Sequence, residues 1–213
     1  MAKTFKIDVP KLPNELPVTS YHPIEGGYYD NCTFKDCVIT REDMERIAFD
    51  QVIFDHVTFE GIDFTSIELT DCVFNHCDLS NADFTGASIH RVEFKNCKLV
   101  GIYMSETSFG NVFFDNCQIN LSSFGYSKLK QVRFSECLLK NSDFYECKFQ
   151  KVDYKKCDID EANFSNTKLI GVDLTSCTFD KLQVSLESMQ GCIVSTEQAL
   201  GFARLLGLHI KEE

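Results

Sequence analysis

Every fifth residue of this chain is apolar, in one frame that runs from Ile24 to Val194. The series opens Phe34, Ile39, Met44, Phe49, Phe54, Phe59, Phe64 and closes Phe179, Val184, Met189, Val194. Of the 19 phenylalanines, all but Phe5, Phe113 and Phe202 fall in it. A period of five fits neither an amphipathic helix at 3.6 nor a half-buried strand at 2. Such regularity belongs to a repeat architecture, in which each unit buries its apolar face only against its neighbours.

The cysteines mark a second inward position. All 11 (Cys32, Cys37, Cys72, Cys77, Cys97, Cys117, Cys137, Cys147, Cys157, Cys177 and Cys192) stand two residues before an apolar centre. Elsewhere that slot holds mainly Val, Ala, Ile, Ser and Thr, so it accepts small side chains. A longer period appears in lines of twenty: one column reads Phe34, Phe54, Phe74, Phe94, Phe114, Phe134, Tyr154, Leu174, another Cys77, Cys97, Cys117, Cys137, Cys157, Cys177. Four pentapeptides therefore make one coil, and like side chains stack in register to fill a narrow core. The expected fold is all-β, a four-sided solenoid.

Cys77-Asp78-Leu79-Ser80-Asn81, Ala82-Asp83-Phe84-Thr85-Gly86 and Ala162-Asn163-Phe164-Ser165-Asn166 resemble the A(D/N)LXX motif of the pentapeptide repeat family. That resemblance implies a right-handed quadrilateral β-helix over residues 24–194, preceded by an extended N-terminal cap (1–23) and followed by a C-terminal helix and dimerisation tail (195–213). The ends are more particular. Pro10 to Pro17 (Pro-Lys-Leu-Pro-Asn-Glu-Leu-Pro), Val194 to Leu200 and Leu205-Leu206-Gly207-Leu208 are similar to the termini of the Qnr quinolone resistance proteins. The uninterrupted frame resembles the loop-free chromosomal kind from Gram-positive bacteria.

Other chemistries find little support. No apolar run approaches the roughly 20 residues of a membrane span, and no signal-peptide core opens the chain, which predicts a cytoplasmic protein without membrane contact. Cysteines on stacked turns project in parallel from backbones about 4.8 Å apart, where a disulfide would distort the ladder; buried thiols packing as small hydrophobes are expected. Cys72 and Cys77 are five apart, without zinc-knuckle spacing. His56 and His76 share one outward column a turn apart and read as solvated rather than as a metal site. Ser, Thr and Asp in outward slots are composition rather than a triad, and a filled rod offers small substrates no deep pocket. No catalytic residue, metal or cofactor is expected, and an enzyme is not.

What remains is a surface of uneven charge. Thirteen acidic residues between Asp30 and Asp83 face only Lys35, Arg41 and Arg46, whereas from Phe84 to Val194 the two signs nearly balance. Ten net charges over roughly 13 Å of rod, at a strand spacing of about 4.8 Å, match or exceed the one per about 1.7 Å of duplex DNA. DNA mimicry is thus confined to the N-terminal third, and an acidic rod repels nucleic acid itself.

The Qnr resemblance implies binding to DNA gyrase, and to topoisomerase IV second, with protection from fluoroquinolones. Asp43, Glu45, Asp50, Asp55, Glu60, Asp63, Glu68 and Asp71 would present the acidic surface. Phe113, Leu121, Leu138 and Ile170 are outward apolar candidates for specificity. A structural or regulatory adaptor with another protein partner is the alternative. At the ends, Glu42 and Glu187 fall in the inward small-residue slot, which predicts coils open to water there. Residues 195–206 read as a helix capped by Ser195 or Thr196 and stopped at Gly207. Its apolar stripe suits either an end plug or, as the resemblance implies, a two-fold homodimer through Leu200, Phe202, Ala203, Leu205, Leu206, Leu208 and Ile210.

Overall fold

Residues twenty apart in sequence lie side by side in the fold. A computed structural model describes residues 5–22, 27–40 and 47–205. Strands β1 (Tyr28–Lys35), β3 (Ala48–Asp55), β5 (Glu68–Thr70), β6 (Val73–Asn75), β7 (Ser88–Lys95), β8 (Ser108–Asp115), β9 (Lys128–Ser135) and β10 (Lys148–Lys155) form one parallel sheet; β5 and β6 share a level between β3 and β7. Strands β2 (Val38–Thr40) and β4 (Thr58–Glu60) pair likewise, and their column continues as bridges through Asp78, Lys98, Gln118, Leu138, Asp158 and Thr178. The registers Phe34↔Phe54, Phe94↔Phe114 and Tyr154↔Phe134 fix the repeat at twenty residues. Four five-residue sides close each coil, giving a quadrilateral β-helix.

Inside, the phenylalanines stack as the columns require. Successive rings from Phe54 through Phe74, Phe94, Phe114 and Phe134 to Tyr154 are 4.6–5.0 Å apart and nearly parallel. A second stack, Phe124, Phe144 and Phe164, meets the first edge-on, as at Phe114 and Phe124. Both arrangements suit the ring quadrupole. Tyr154 brings a hydroxyl into this stack that finds no hydrogen-bond partner.

The small slot does more than admit small residues. Its thiols donate to the carbonyl 23 residues earlier: Cys77 to Phe54, Cys97 to Phe74, Cys117 to Phe94. Thr107, Ser127 and Ser142 donate identically to Phe84, Met104 and Ile119, at 2.8, 2.8 and 2.9 Å. Cys, Ser and Thr therefore interchange because each is a compact donor. All 11 cysteines are unbridged, nine buried and Cys37 and Cys192 half-buried.

The described corners as far as residue 171 turn on a left-handed residue one position after the side ends, including Gln51, Asp71, Asn81, Arg91, Leu121, Glu136 and Lys156, with φ from 51 to 60°. Glycine takes that conformation only sparingly, at Gly61, Gly86, Gly101, Gly171 and Gly191. The motif's Asp or Asn helps: Oδ1 of Asp78, Asp83, Asp143, Asn163 and Asp173 accepts the N–H two residues on. These are Asx turns bending the chain round the corner.

The two ends depart from the simple frame. Residues 5–22 cap the first coil only in part: Tyr21 stacks on Tyr29 and meets Phe34 edge-on, and Val18 bridges Thr33. Upstream of Val18 the segment runs along the outside of the rod. At the far end Ser188 takes the buried place and Glu187 is exposed, because a tight turn bonding Met189 N–H to the Ser185 carbonyl offsets the chain by one residue. The inward Glu187 expected from the frame is thereby avoided. Glu42 lies outside the described residues. Helix α1 (Thr196–Leu205) follows, with Ser195 Oγ accepting the Gln198 N–H and Gln198 Oε1 accepting the Ser195 N–H, a reciprocal cap.

Candidate interaction surface

A column of corner residues reads the backbone of the N-terminal strap. Gln51 donates to the Lys11 carbonyl, Asp71 accepts the Lys11 N–H at 2.8 Å, Asn111 accepts the Asp8 N–H, and Gln131 donates to the Lys6 carbonyl. Arg133 reaches the Phe5 carbonyl and lies over its ring at 5.5 Å. Asp71 is consequently not an exposed acid: it is 4 % accessible and holds Arg91 through two 2.6 Å bonds. Burial pushes its carboxyl up, but Arg91 and the Lys11 N–H outweigh this and hold it below the usual range.

The other predicted acids divide around the rod. Asp50 borders the strap column and accepts the Tyr28 hydroxyl. Asp55, at the next corner, is tied to Lys35 at 3.2 Å and His56 at 3.0 Å. Glu60, Asp63 and Glu68 are exposed; Glu60 and Asp63 lie nearer the opposite corner, about half a coil from the strap, whereas Glu68 opens β5, three residues before Asp71 of the strap column. Asp43 and Glu45 lie outside the described residues.

Stacking decides which charges survive. Where Lys or Arg stands one coil away the charge is cancelled, as at Asp71–Arg91, Asp78–Lys98, Arg133–Asp153 and Glu136–Lys156. Glu68 instead lies between Ala48 and Ser88, Glu60 beside Thr40, and Asp63 beside Asp83. Among the described residues Glu60 and Glu68 enter no ion pair. Among the acids with neutral neighbours one coil away, Glu68 therefore lies on the sheet face that adjoins the strap and Glu60 on the side away from it.

Exposed apolar groups gather on the same side. Leu121 is 64 % accessible and Leu138 42 %, and Tyr103 and Tyr126, which the sequence reading passed over, are similarly open. Phe113 is half-buried in the strapped sheet between Glu93 and Arg133. Ile170 is exposed near the strap column, beyond the strap's reach. The tyrosines escaped notice because outward slots carry no period.

At the corner after β3, His56 and His76 stack with centroids 4.8 Å apart and rings within 4° of parallel. Asp55 joins them, so that one ligand atom from each of the three lies within 4.8 Å of the others. The sequence reading paired the histidines without this carboxylate.

A family model described as pentapeptide repeat region matches residues 67–144, 87–164 and 127–196. The chain belongs to the pentapeptide repeat family. None of the curated proteins matches this pentapeptide repeat protein significantly. Among solved structures, a trypsin-treated variant of QnrB1, a plasmid-mediated fluoroquinolone resistance protein, is 19% identical, covering 92% of this chain and 97% of its own, with TM-score 0.43. HetL of the cyanobacterium Nostoc sp. strain PCC 7120, involved in heterocyst differentiation regulation, is 10% identical, over 79% of this chain and 90% of its own, with TM-score 0.36. A thylakoid-lumen pentapeptide repeat protein of Arabidopsis thaliana is 17% identical, over 50% and 67%, with TM-score 0.34.

The C-terminal helix of this repeat protein seats on the last coil. Gln198 Nε2 donates to the carbonyls of Leu174 and Cys177, both at 2.9 Å, and Phe202 packs on Phe179 at 5.6 Å. Phe202 and Ala203 are half-buried while Leu200 is 45 % accessible. The Leu205 side chain, Leu206, Leu208 and Ile210 lie outside the described residues. No described helix is long and apolar enough to cross a membrane.

Proposed function

We propose that this chain is a homodimeric, cytoplasmic, DNA-mimicking ligand of type II DNA topoisomerases, gyrase first and topoisomerase IV second, that reduces their poisoning by fluoroquinolones. The termini similar to those of Qnr proteins motivate the reading. The observation that carries it is the pair of exposed carboxylates with neutral neighbours one coil away, Glu68 on the sheet face beside the strap and Glu60 on the side away from it, suited to a basic DNA-binding saddle. Leu121 and Leu138, also away from the strap but farther along the rod, would add apolar contacts beyond the acidic third. Dimerisation would use the helix surface left over after Phe202 has plugged the coil, with Leu200 at its centre.

The test is gyrase supercoiling with ciprofloxacin in the presence of increasing protein. Relief of drug inhibition, or inhibition of gyrase at higher protein concentration, is expected; neither effect at any concentration rejects the reading. A second reading rests on Tyr103, Leu121, Tyr126 and Leu138, an apolar group largely on the near-neutral part of the rod, which would serve a structural or regulatory adaptor for a different protein. A pull-down that recovers such a partner without gyrase favours the adaptor.

A further inference from the structure

The stacked histidines and their carboxylate form a second, separate feature of the surface. His56 and His76 occupy consecutive levels of one corner column, both in left-handed backbone with φ of 55 and 52°. That conformation, shared by both levels, sends the two imidazoles outward in parallel. Asp55 precedes His56 and lies with Oδ1 3.0 Å from His56 Nδ1. The carboxylate is itself held in place: Asn75 donates to Oδ1 at 2.7 Å and Lys35 sits 3.2 Å from Oδ2.

We propose that Asp55, His56 and His76 bind one divalent transition-metal ion of the zinc and nickel class, clipping two adjacent coils together. Two imidazoles and one carboxylate are a donor set suited to such ions. Metal–ligand bonds of about 2.0–2.2 Å place ligand atoms on one ion roughly 3.3 Å apart. The three atoms already lie within 4.8 Å, so rotation of the exposed imidazoles suffices to close the site, with no backbone movement. Asn75 and Lys35 would act as outer partners that orient the carboxylate, a role such groups fill in metal sites generally. Solvent would complete the coordination shell. The structural consequence is local: a further tie between β3 and β6, added to their backbone pairing, the buried Phe54–Phe74 stack and the Asn75–Asp55 hydrogen bond.

The experiment is calorimetric titration of the untagged, chelator-treated protein with Zn2+ and, separately, Ni2+. One ion per chain is expected, with a rise in the thermal midpoint on saturation. His76→Asn and His56→Asn should each weaken binding at least tenfold and remove that rise. Both positions are exposed, so these variants fold; equal midpoints of variants and parent without metal verify it. His90→Asn, on another column, should bind as the parent does. Absence of binding, or binding unchanged in both His56 and His76 variants, overturns the proposal, the latter placing the ion on thiols or another histidine. Gyrase activity plays no part in the readout, so this result and that of the topoisomerase reading stand apart.

Discussion

Tyr154 is the one aromatic of its column whose ring carries a hydroxyl into the core. It stacks on Phe134 as a phenylalanine would, 1 % accessible, and its oxygen meets no donor or acceptor. Burying an unsatisfied hydroxyl costs about 1–3 kcal/mol, and Phe fills the same volume without it. Tyr154→Phe should therefore raise the thermal midpoint by roughly 2–4 °C for each kcal/mol recovered in a chain of this size; an unchanged or lowered midpoint would show that the hydroxyl is satisfied. The thiols are a second residue-scale case. Burial pushes Cys72 and Cys147 up to about 12, which leaves almost no thiolate at neutral pH. Only half-buried Cys37 and Cys192 should react promptly with a disulfide reagent in the native protein, the other nine following on denaturation. Fast labelling of more than two thiols would mean that the coils open readily. The inward residues were legible in the sequence because a five-residue period cannot arise by chance over so many repeats. The left-handed corners were not: Leu121, Gln131, Glu136 and Lys156 share a backbone conformation but no side-chain chemistry, since the stacked coils impose the angle on whatever residue is there.

At the scale of an element, the N-terminal strap is the part that sequence periodicity could not place. Residues 5–22 have no repeat of their own, and their partners Gln51, Asp71, Asn111 and Gln131 look like ordinary surface polar residues until the coil brings them into one line. An extended cover was legible from the prolines; its path along the side was not. Asp71 is the middle of that line. Asp71→Ala removes the Arg91 pair and the acceptor for the Lys11 N–H together, leaving a partly buried guanidinium without its counter-ion. A loss of about 2 kcal/mol is expected for such a pair, with faster proteolytic nicking within residues 5–18. Because the native carboxyl is held below its unfolded value of about 3.9, its contribution is complete above that value and declines as the pH falls through the lowered one. Strap protection should accordingly stay level from pH 7 to 5 and weaken only in strong acid. Nicking of the variant at the parent's rate would mean that the other hydrogen bonds hold the strap unaided.

For the whole molecule, the question is whether position or net charge makes the acidic rod a ligand. The sequence located the excess charge in the N-terminal third, yet not the side, because neutralisation depends on which residue stands one coil away. Asp78 meets Lys98 and Asp71 meets Arg91, whereas Glu60 and Glu68 meet neutral neighbours. If the topoisomerase recognises that open field, Glu60→Lys with Glu68→Lys should weaken gyrase binding about tenfold or more and flatten its dependence on salt, since exposed complementary charges act through screened attraction. Glu106→Lys with Glu161→Lys alters the net charge equally at exposed positions farther along the rod, and should change affinity far less. Equal losses from the two pairs would make recognition a matter of overall charge, and no loss from either would shift the contact to Leu121 and Leu138. The dimer is separable from both. Leu200→Asp adds a charge to the exposed flank of α1 while leaving Phe202 on Phe179, so light scattering should report a folded monomer. A monomer would present one acidic third in place of two and lose the avidity of a paired ligand, so its gyrase affinity should drop even though every proposed contact residue is intact. A Leu200→Asp protein that stays dimeric would confine the helix to plugging the coil.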